Sequence, residues 1–289
     1  MEWLIFVLIN VISGSLIALL LKKTAQKYKT DTLTISFYGF LFASIIYLPF
    51  VTQFYLANPI LPSEPIAWAY MGIAMIIGAV YIFCFMKAYR IGKLSTNGPL
   101  ENIRPISAAI FSVIFLQEVL TLNILTATAL VVIGGFVVHL TGGVKKTIKE
   151  ISKSKASVLM IFAATLAGIM AVADKLALGY FKPEIAVFFV MAGNALVYFL
   201  IYTKVKKKKI NMSAEYIKRT LLLGCLIVVS TLSIYNALNL GSPIYVVPVQ
   251  MTRSIVIAIF GSIFLGETGL SKKLLGAIIM LAGVILLVI

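Results

Sequence analysis

The sequence predicts an all-α polytopic membrane protein: ten transmembrane helices arranged as two inverted five-helix repeats. Three observations carry this expectation. Hydrophobic residues make up 61% of the 289, charged residues only 12%, and the mean hydropathy is +1.05. A soluble domain of this length needs a far more polar surface. The apolar residues fall into ten runs, each near the roughly 20 residues that a spanning helix requires. One phrase also occurs twice: "AIFSVIFLQE" at 109–118 and "AIFGSIFLGE" at 258–267 match at seven positions and lie 149 residues apart.

The runs must be helices or strands of a closed barrel, because lipid cannot satisfy free backbone groups. They are too long and too evenly apolar for barrel strands. The first, 3–21, lies in "MEWLIFVLINVISGSLIALLLKK". It has no basic n-region and no small-residue cleavage site, so it reads as a retained helix rather than a signal peptide. Runs 33–56, 66–89, 97–117 and 120–141 follow, then a basic linker at 142–155. The second set is 156–178, 184–203, 217–239, 243–265 and 270–289. The ninth opens on "SPIYVVPV", whose two prolines predict a late start or a kink. No polar stretch exceeds about 15 residues, which leaves no room for a soluble domain. Cys84 and Cys225 are isolated within apolar runs and read as small core residues, with no metal or disulfide pattern.

The offset of 149 holds beyond the repeated phrase. It pairs Ala88 with Ala237, Gly92 with Gly241, Pro99 with Pro248, Arg104 with Arg253, Leu125 with Leu274 and Gly134 with Gly283. Matched Leu or Ile means little between apolar helices; matched Pro, Arg, Glu and Gly at one constant offset means more. The chain therefore divides into a first unit at 1–141, the linker 142–155, and a second unit at 156–289. Each unit holds five helices. Five is odd, so the second copy crosses the membrane in the opposite sense, as in many secondary transporters.

Two segments, "AYRIGKLSTNGPLENIRPISAAIFSVIFLQEVLT" and "ALNLGSPIYVVPVQMTRSIVIAIFGSIFLGE", resemble the EamA-type drug/metabolite transporter superfamily. The resemblance rests on an A-x-x-x-G end to the third helix of each unit, a fourth helix closing on FL-x-[QG]-E, and a glycine in the fifth. It extends over both halves. It implies a transporter of small metabolites, with a central cavity between the units. Where the family often has a neutral residue before the proline of the fourth helix, this chain has Arg104.

Of the 25 Lys and Arg, 21 fall on the side reached after the odd-numbered helices, and only Lys175 and Lys182 on the side of the termini. The positive-inside rule makes the basic side cytoplasmic and both termini external. Family members commonly keep both termini inside; the charge distribution is followed here. The net charge of +15 has the same origin, and "KVKKKK" reads as membrane-surface anchoring rather than nucleic-acid binding.

The two remaining cations, Arg104 and Arg253, lie inside predicted helices, where a charge costs about 2.5–3.5 kcal/mol on insertion scales. They face an interior cavity, snorkel to the headgroups, or pair structurally with other helices; the first is the principal expectation. Glu101 precedes Arg104 by three residues and shares its face, so the two are expected to neutralise each other. The counterpart of Glu101 is the neutral Gln250. Arg253 is therefore expected to be the unpaired, anion-recognising group, with Asp174 as an alternative partner. Asn10, Tyr81 and Tyr235 complete the candidate substrate-binding set. For these and for Ser13, Asn194, Thr231 and Asn236, interhelical hydrogen bonding is the default reading. Trp3 and Trp68 read as interface anchors. His139 reads as interfacial in preference to a proton relay. Glu118 and Glu267 read as structural carboxylates at helix ends.

No Walker loop, dinucleotide turn or metal-ligand spacing occurs in the sequence; no cofactor, no metal and no enzymatic activity are expected. The expected function is a secondary transporter of the cytoplasmic membrane, exporting small metabolites such as amino acids or related organic acids by alternating access. A membrane-embedded enzyme or flippase for lipid-like substrates is the alternative, and a channel the third reading. The expected partners are a small-molecule substrate and the lipid bilayer, with a coupling ion left open and a monomer or homodimer as the assembly.

Overall fold

The computed structural model describes residues 2–28, 30, 32–59, 61–91, 99–139, 154–205, 213–257 and 270–289. Among them ten helices follow in order: α1 (Glu2–Tyr28), α2 (Thr32–Ala57), α3 (Pro65–Ile91), α4 (Arg104–Leu116), α5 (Leu122–His139), α6 (Lys155–Leu178), α7 (Pro183–Val205), α8 (Ala214–Leu240), α9 (Pro243–Gln250) and α10 (Leu270–Val288). Seven spans are long and apolar enough to cross a membrane; the helices around α5, α9 and α10 are apolar but shorter. The protein is a multi-pass integral membrane protein. The second copy of the repeated phrase with its Glu267, most of the basic linker, and Lys206 to Lys209 lie outside the described residues, as do the side chains of His139, Lys272 and Lys273.

Several helices outrun their apolar cores. The predicted first run ends at Leu21, but α1 continues to Tyr28. Lys22, Lys23 and Lys27 are good helix formers with long apolar stems, so the helix carries them to the interface. There Lys27 Nζ meets Glu215 at the start of α8 (2.5 Å), and Arg219 joins the same carboxylate (3.1 Å). Beside this ion pair Tyr28 and Tyr216 pack edge to face. Helix α4 ends on Gln117 in a left-handed conformation (φ 56°). That conformation suits glycine, and position 266, its counterpart at the offset of 149, is Gly266.

The packing carries the signature of the repeat. Gly134 of α5 meets α10 so closely that a Cβ there would lie 2.6 Å from the Gly276 carbonyl oxygen. Its counterpart Gly283 of α10 would clash in the same way with the Ala127 carbonyl oxygen of α5, at 2.7 Å. Adding 149 to Gly134 gives Gly283, and adding it to Ala127 gives Gly276. The two contacts exchange when the units exchange, which is the behaviour of a two-fold axis. Residue numbers rise along α5 as they fall along the facing stretch of α10, so the equivalent helices are antiparallel. The axis thus lies across the helices, in the plane of the membrane. The three most extensive of the other contacts obey the same exchange: α3 packs on α6 as α8 packs on α1, and α2 packs on α7.

Without a hydrophobic driving force between helices in lipid, close backbone approach at small residues is what holds such pairs together. The α5–α10 seam predicts an experiment. Gly134→Leu and Gly276→Leu force the backbones apart and lower the thermal midpoint of the detergent-purified protein, whereas Gly72→Leu, at a glycine with open space around it, leaves it near wild type. Equal effects at all three positions contradict the seam.

Candidate functional site

The helices that carry Arg104 and Arg253 are both interrupted immediately before the arginine. Residues 99–101 are helical, 102–103 form a turn, and α4 proper begins at Arg104. In the second unit α9 ends at Gln250, 251–252 form a turn, and helix resumes at Arg253. Pro105 explains the first break: it lacks an N–H, and its ring crowds the carbonyl four residues back. The second has no proline at the matching place. There the backbone tightens to three-residue hydrogen bonds, Thr252 N–H to Val249 O (3.0 Å) and Ser254 N–H to Met251 O (3.0 Å). The Thr252 hydroxyl also donates to Val249 O (2.7 Å). Interrupted helices at pseudo-symmetric places are characteristic of transporter binding sites, since they turn backbone polarity toward the interior.

The structure revises the expected charge pairing. Glu101 does not reach back along its own helix to Arg104. Its recorded ion pair crosses to the other unit, with Glu101 Oε1 lying 3.5 Å from Arg253 Nη2. The interruption at 102–103 removes the helical register that would have set Glu101 and Arg104 on one face, so the three-residue spacing loses its meaning. Arg253 extends over α1, where Gly14 makes room; a Cβ at Gly14 would lie 3.1 Å from Nη1. Arg253 is therefore not the unpaired guanidinium.

Arg104 takes that place. It is 5% exposed, so it does not snorkel, and its Nε has no hydrogen-bond partner among the described residues. The pseudo-symmetry explains why. Arg253 takes its carboxylate from position 101 of the other unit, so the equivalent partner for Arg104 is position 250. That residue is Gln250, which instead donates from Nε2 to Asn10 Oδ1 (2.8 Å). Asn10 Nδ2 in turn donates to the carbonyl and hydroxyl of Ser230 in α8 (2.8 and 2.9 Å). Asn10 and Gln250 are both buried, and the chain of amides ties α1, α8 and α9 together.

Tyr81 of α3 joins this group, within electrostatic reach of Arg104, Glu101 and Arg253. Tyr235 is buried and donates its hydroxyl to Asp174 Oδ1 (2.7 Å). Asp174 lies within electrostatic reach of Arg104 but is not joined to it by an ion pair. Six of the seven sequence-selected residues thus fall in one connected neighbourhood. Tyr235 enters through Asp174, which the sequence offered only as a partner for Arg253. Two residues were missed: Ser230, an ordinary serine in an apolar run, and Gly14, which only a close approach reveals.

Other expectations divide. Ser13 and Asn236 bond carbonyls of their own helices, Ile9 O (2.7 Å) and Leu232 O (2.8 Å), rather than neighbouring helices. Short polar side chains reach back one turn readily. Asn194 is buried, with no hydrogen-bond partner for its Oδ1 among the described residues. Cys84 is buried, but Cys225 lies exposed on α8, facing outward rather than into a core. Trp68 donates its indole N–H to Pro62 O (3.0 Å) and packs edge to face on Phe181 and Phe189.

Comparison with known proteins agrees with this architecture. One solved crystal structure superposes with a TM-score of 0.78 at 12% identity, over 100% of this chain and 98% of that one; the likeness is one of fold. No curated protein matches the chain. The model of the EamA-like transporter family matches twice, at residues 1–140 and 154–289, once over each unit. With two such matches covering nearly all of its length, the chain belongs to the EamA-like transporter family.

Proposed function

We propose that the protein is a secondary transporter of the cytoplasmic membrane, exporting small metabolites that carry a carboxylate, such as amino acids or related organic acids. The two units rock about the polar neighbourhood at their interface, exposing it to each side in turn. The observation that carries this reading is Arg104: a buried guanidinium whose Nε has no partner among the described residues, with Gln250 at the position pseudo-symmetric to the Glu101 carboxylate. A charge so deep needs compensation. A substrate carboxylate supplies it through a forked pair of hydrogen bonds and then leaves with the transport step. Arg253, neutralised by Glu101, holds the units in register beside it.

The orientation we infer puts the Lys27–Glu215–Arg219 cluster at the cytoplasmic surface and both termini outside. The ion pair supports it by joining the basic ends of α1 and α8 at one end of the bundle. At the other end Lys175 donates to Leu238 O and Asn239 O (2.6 and 3.1 Å), capping α8.

Two expectations follow. In proteoliposomes screened with labelled L-amino acids and C4 dicarboxylates, the wild type shows saturable counterflow of at least one anionic or zwitterionic solute. Arg104→Gln abolishes it, and Arg104→Lys lowers it by about tenfold or more, since a point charge loses the fork. Gln250→Glu, which restores the missing symmetric carboxylate, also suppresses it while the protein stays monodisperse. Full counterflow in a folded Arg104→Gln variant defeats the anion reading. For orientation, a cysteine introduced at Lys207 is shielded from impermeant reagent on intact cells and one at Ile289 is labelled; the reverse pattern places the termini inside.

A further inference from the structure

Asp174 is the one buried carboxylate among the described residues, as Arg104 is the one buried cation. Neither is joined to an opposite charge among the described residues. Asp174 sits four residues before the end of α6, held by the Tyr235 hydroxyl (2.7 Å) from α8. Its neighbour in sequence, Lys175, is turned away and spends its ammonium on the carbonyls that end α8. Asp174 is surrounded by few charged or titratable groups. Tyr235 faces it from α8, and Arg104 lies toward it across the α4–α6 contact, where Ala108 and Ala171, about one turn from each, pack together and a Cβ at Gly168 would lie 2.5 Å from Ala108 N. On α3, Tyr81 faces Arg104, Glu101 and Arg253 instead. In the helical segment after α9, Arg253 is paired with Glu101, and on α7 the carboxylate of Glu184 faces Tyr47 of α2.

We propose that Asp174 is a proton-binding site coupled through Arg104 to the anion site, so that one proton is bound with each substrate carboxylate and the two cross together, outward when the substrate's own outward gradient drives them. This rests on the reading of Arg104 as the anion-recognising group. A carboxylate removed from water favours its neutral form, and what opposes this is the positive field of a nearby cation and the hydrogen bond donated to the charged oxygen. Here those two groups are Arg104 and Tyr235. When an anion binds Arg104, its charge cancels the field that Asp174 experiences. One proton then enters from the surrounding water and binds a carboxylate oxygen, with nothing oxidised, reduced or cleaved. Anion binding and proton binding therefore favour each other, and by linkage they do so to the same extent. The loaded neighbourhood holds Arg104 with its substrate carboxylate, a neutral Asp174 and the Glu101–Arg253 pair. For a monocarboxylate anion the cargo and its proton together add no net charge, which eases passage through a low-dielectric interior.

The coupling is testable before any substrate is known, because deleting the Arg104 charge has the same electrostatic effect on Asp174 as neutralising it. The full chain in nanodiscs is titrated while the infrared carbonyl stretch of protonated carboxyls is followed, and the Asp174 band is identified by its loss in Asp174→Asn. We expect its midpoint to rise by about one pH unit or more in Arg104→Gln, and to stay near the wild-type value in Arg104→Lys, which keeps the charge. Tyr235→Phe, which removes one hydroxyl and preserves the ring, raises it as well and gives a second route should Arg104→Gln fail to fold. A band absent from the wild type across the titration, or midpoints that none of these substitutions moves, overturns the proposal. The transport arm uses proteoliposomes with the same panel of L-amino acids and C4 dicarboxylates. A pH gradient drives their accumulation in the wild type, and Asp174→Asn retains counterflow but loses that accumulation at least tenfold. Gradient-driven accumulation that survives in Asp174→Asn also overturns it. If the infrared midpoints shift as expected while no panel anion is transported, the proton site stands and the anion-transport reading falls.

Discussion

A charge inside a bilayer has to be compensated there, and the Glu101–Arg253 ion pair is how this protein compensates one of its two interior arginines. The pair crosses from the first unit to the second, so it does two things at once. It neutralises Arg253, and it ties the helical segment that follows α9 to the segment that precedes α4. Because Glu101 is committed across the interface, Arg104 has to find its counter-charge elsewhere, and the fold supplies no carboxylate at the symmetric position. The asymmetry of the site follows from a single neutral residue, Gln250, on an otherwise repeated frame.

That frame is what makes the difference visible. Gly134 against Gly276 and Gly283 against Ala127 show the two units exchanging places about an axis in the membrane plane. Helix breaks before Arg104 and Arg253 repeat in the same way. An inverted repeat built of identical copies offers two equivalent faces at its centre. Replacing a carboxylate with an amide at one of them leaves a cationic place beside a neutralised one, and the amide is not idle: Gln250 bonds Asn10, and Asn10 bonds Ser230, closing the contacts of α1, α8 and α9.

Much of the fold was legible in the sequence because its causes are local. The length of an apolar run sets a spanning helix, an odd number of helices per unit sets the inversion, and constant spacing between Pro, Arg and Gly sets the equivalence of the units. Part of the candidate site was legible for a related reason: polar side chains in apolar runs have few places to go, and Tyr81 lies within electrostatic reach of Arg104, Glu101 and Arg253 while Gln250 bonds Asn10. The pairing was not legible. Helical spacing joined Glu101 to Arg104, and only the interruption at 102–103 undoes that register. Asp174 acquired its place from Tyr235, 61 positions away, and Gly14 from Arg253. Such long-range partners are set by helix packing, which the apolar pattern of these helices does not encode, since lipid-facing and interior faces carry much the same residues.

Glu101 belongs to Arg253 and not to Arg104. A double-mutant cycle in unfolding stability tests it most directly, comparing Glu101→Gln, Arg253→Gln and the double substitution with wild type, alongside the same cycle for Glu101→Gln with Arg104→Gln. The account predicts a coupling energy of about 0.5–3 kcal/mol in the first cycle and a clearly smaller one in the second. Strong coupling between Glu101 and Arg104 with none between Glu101 and Arg253 contradicts it.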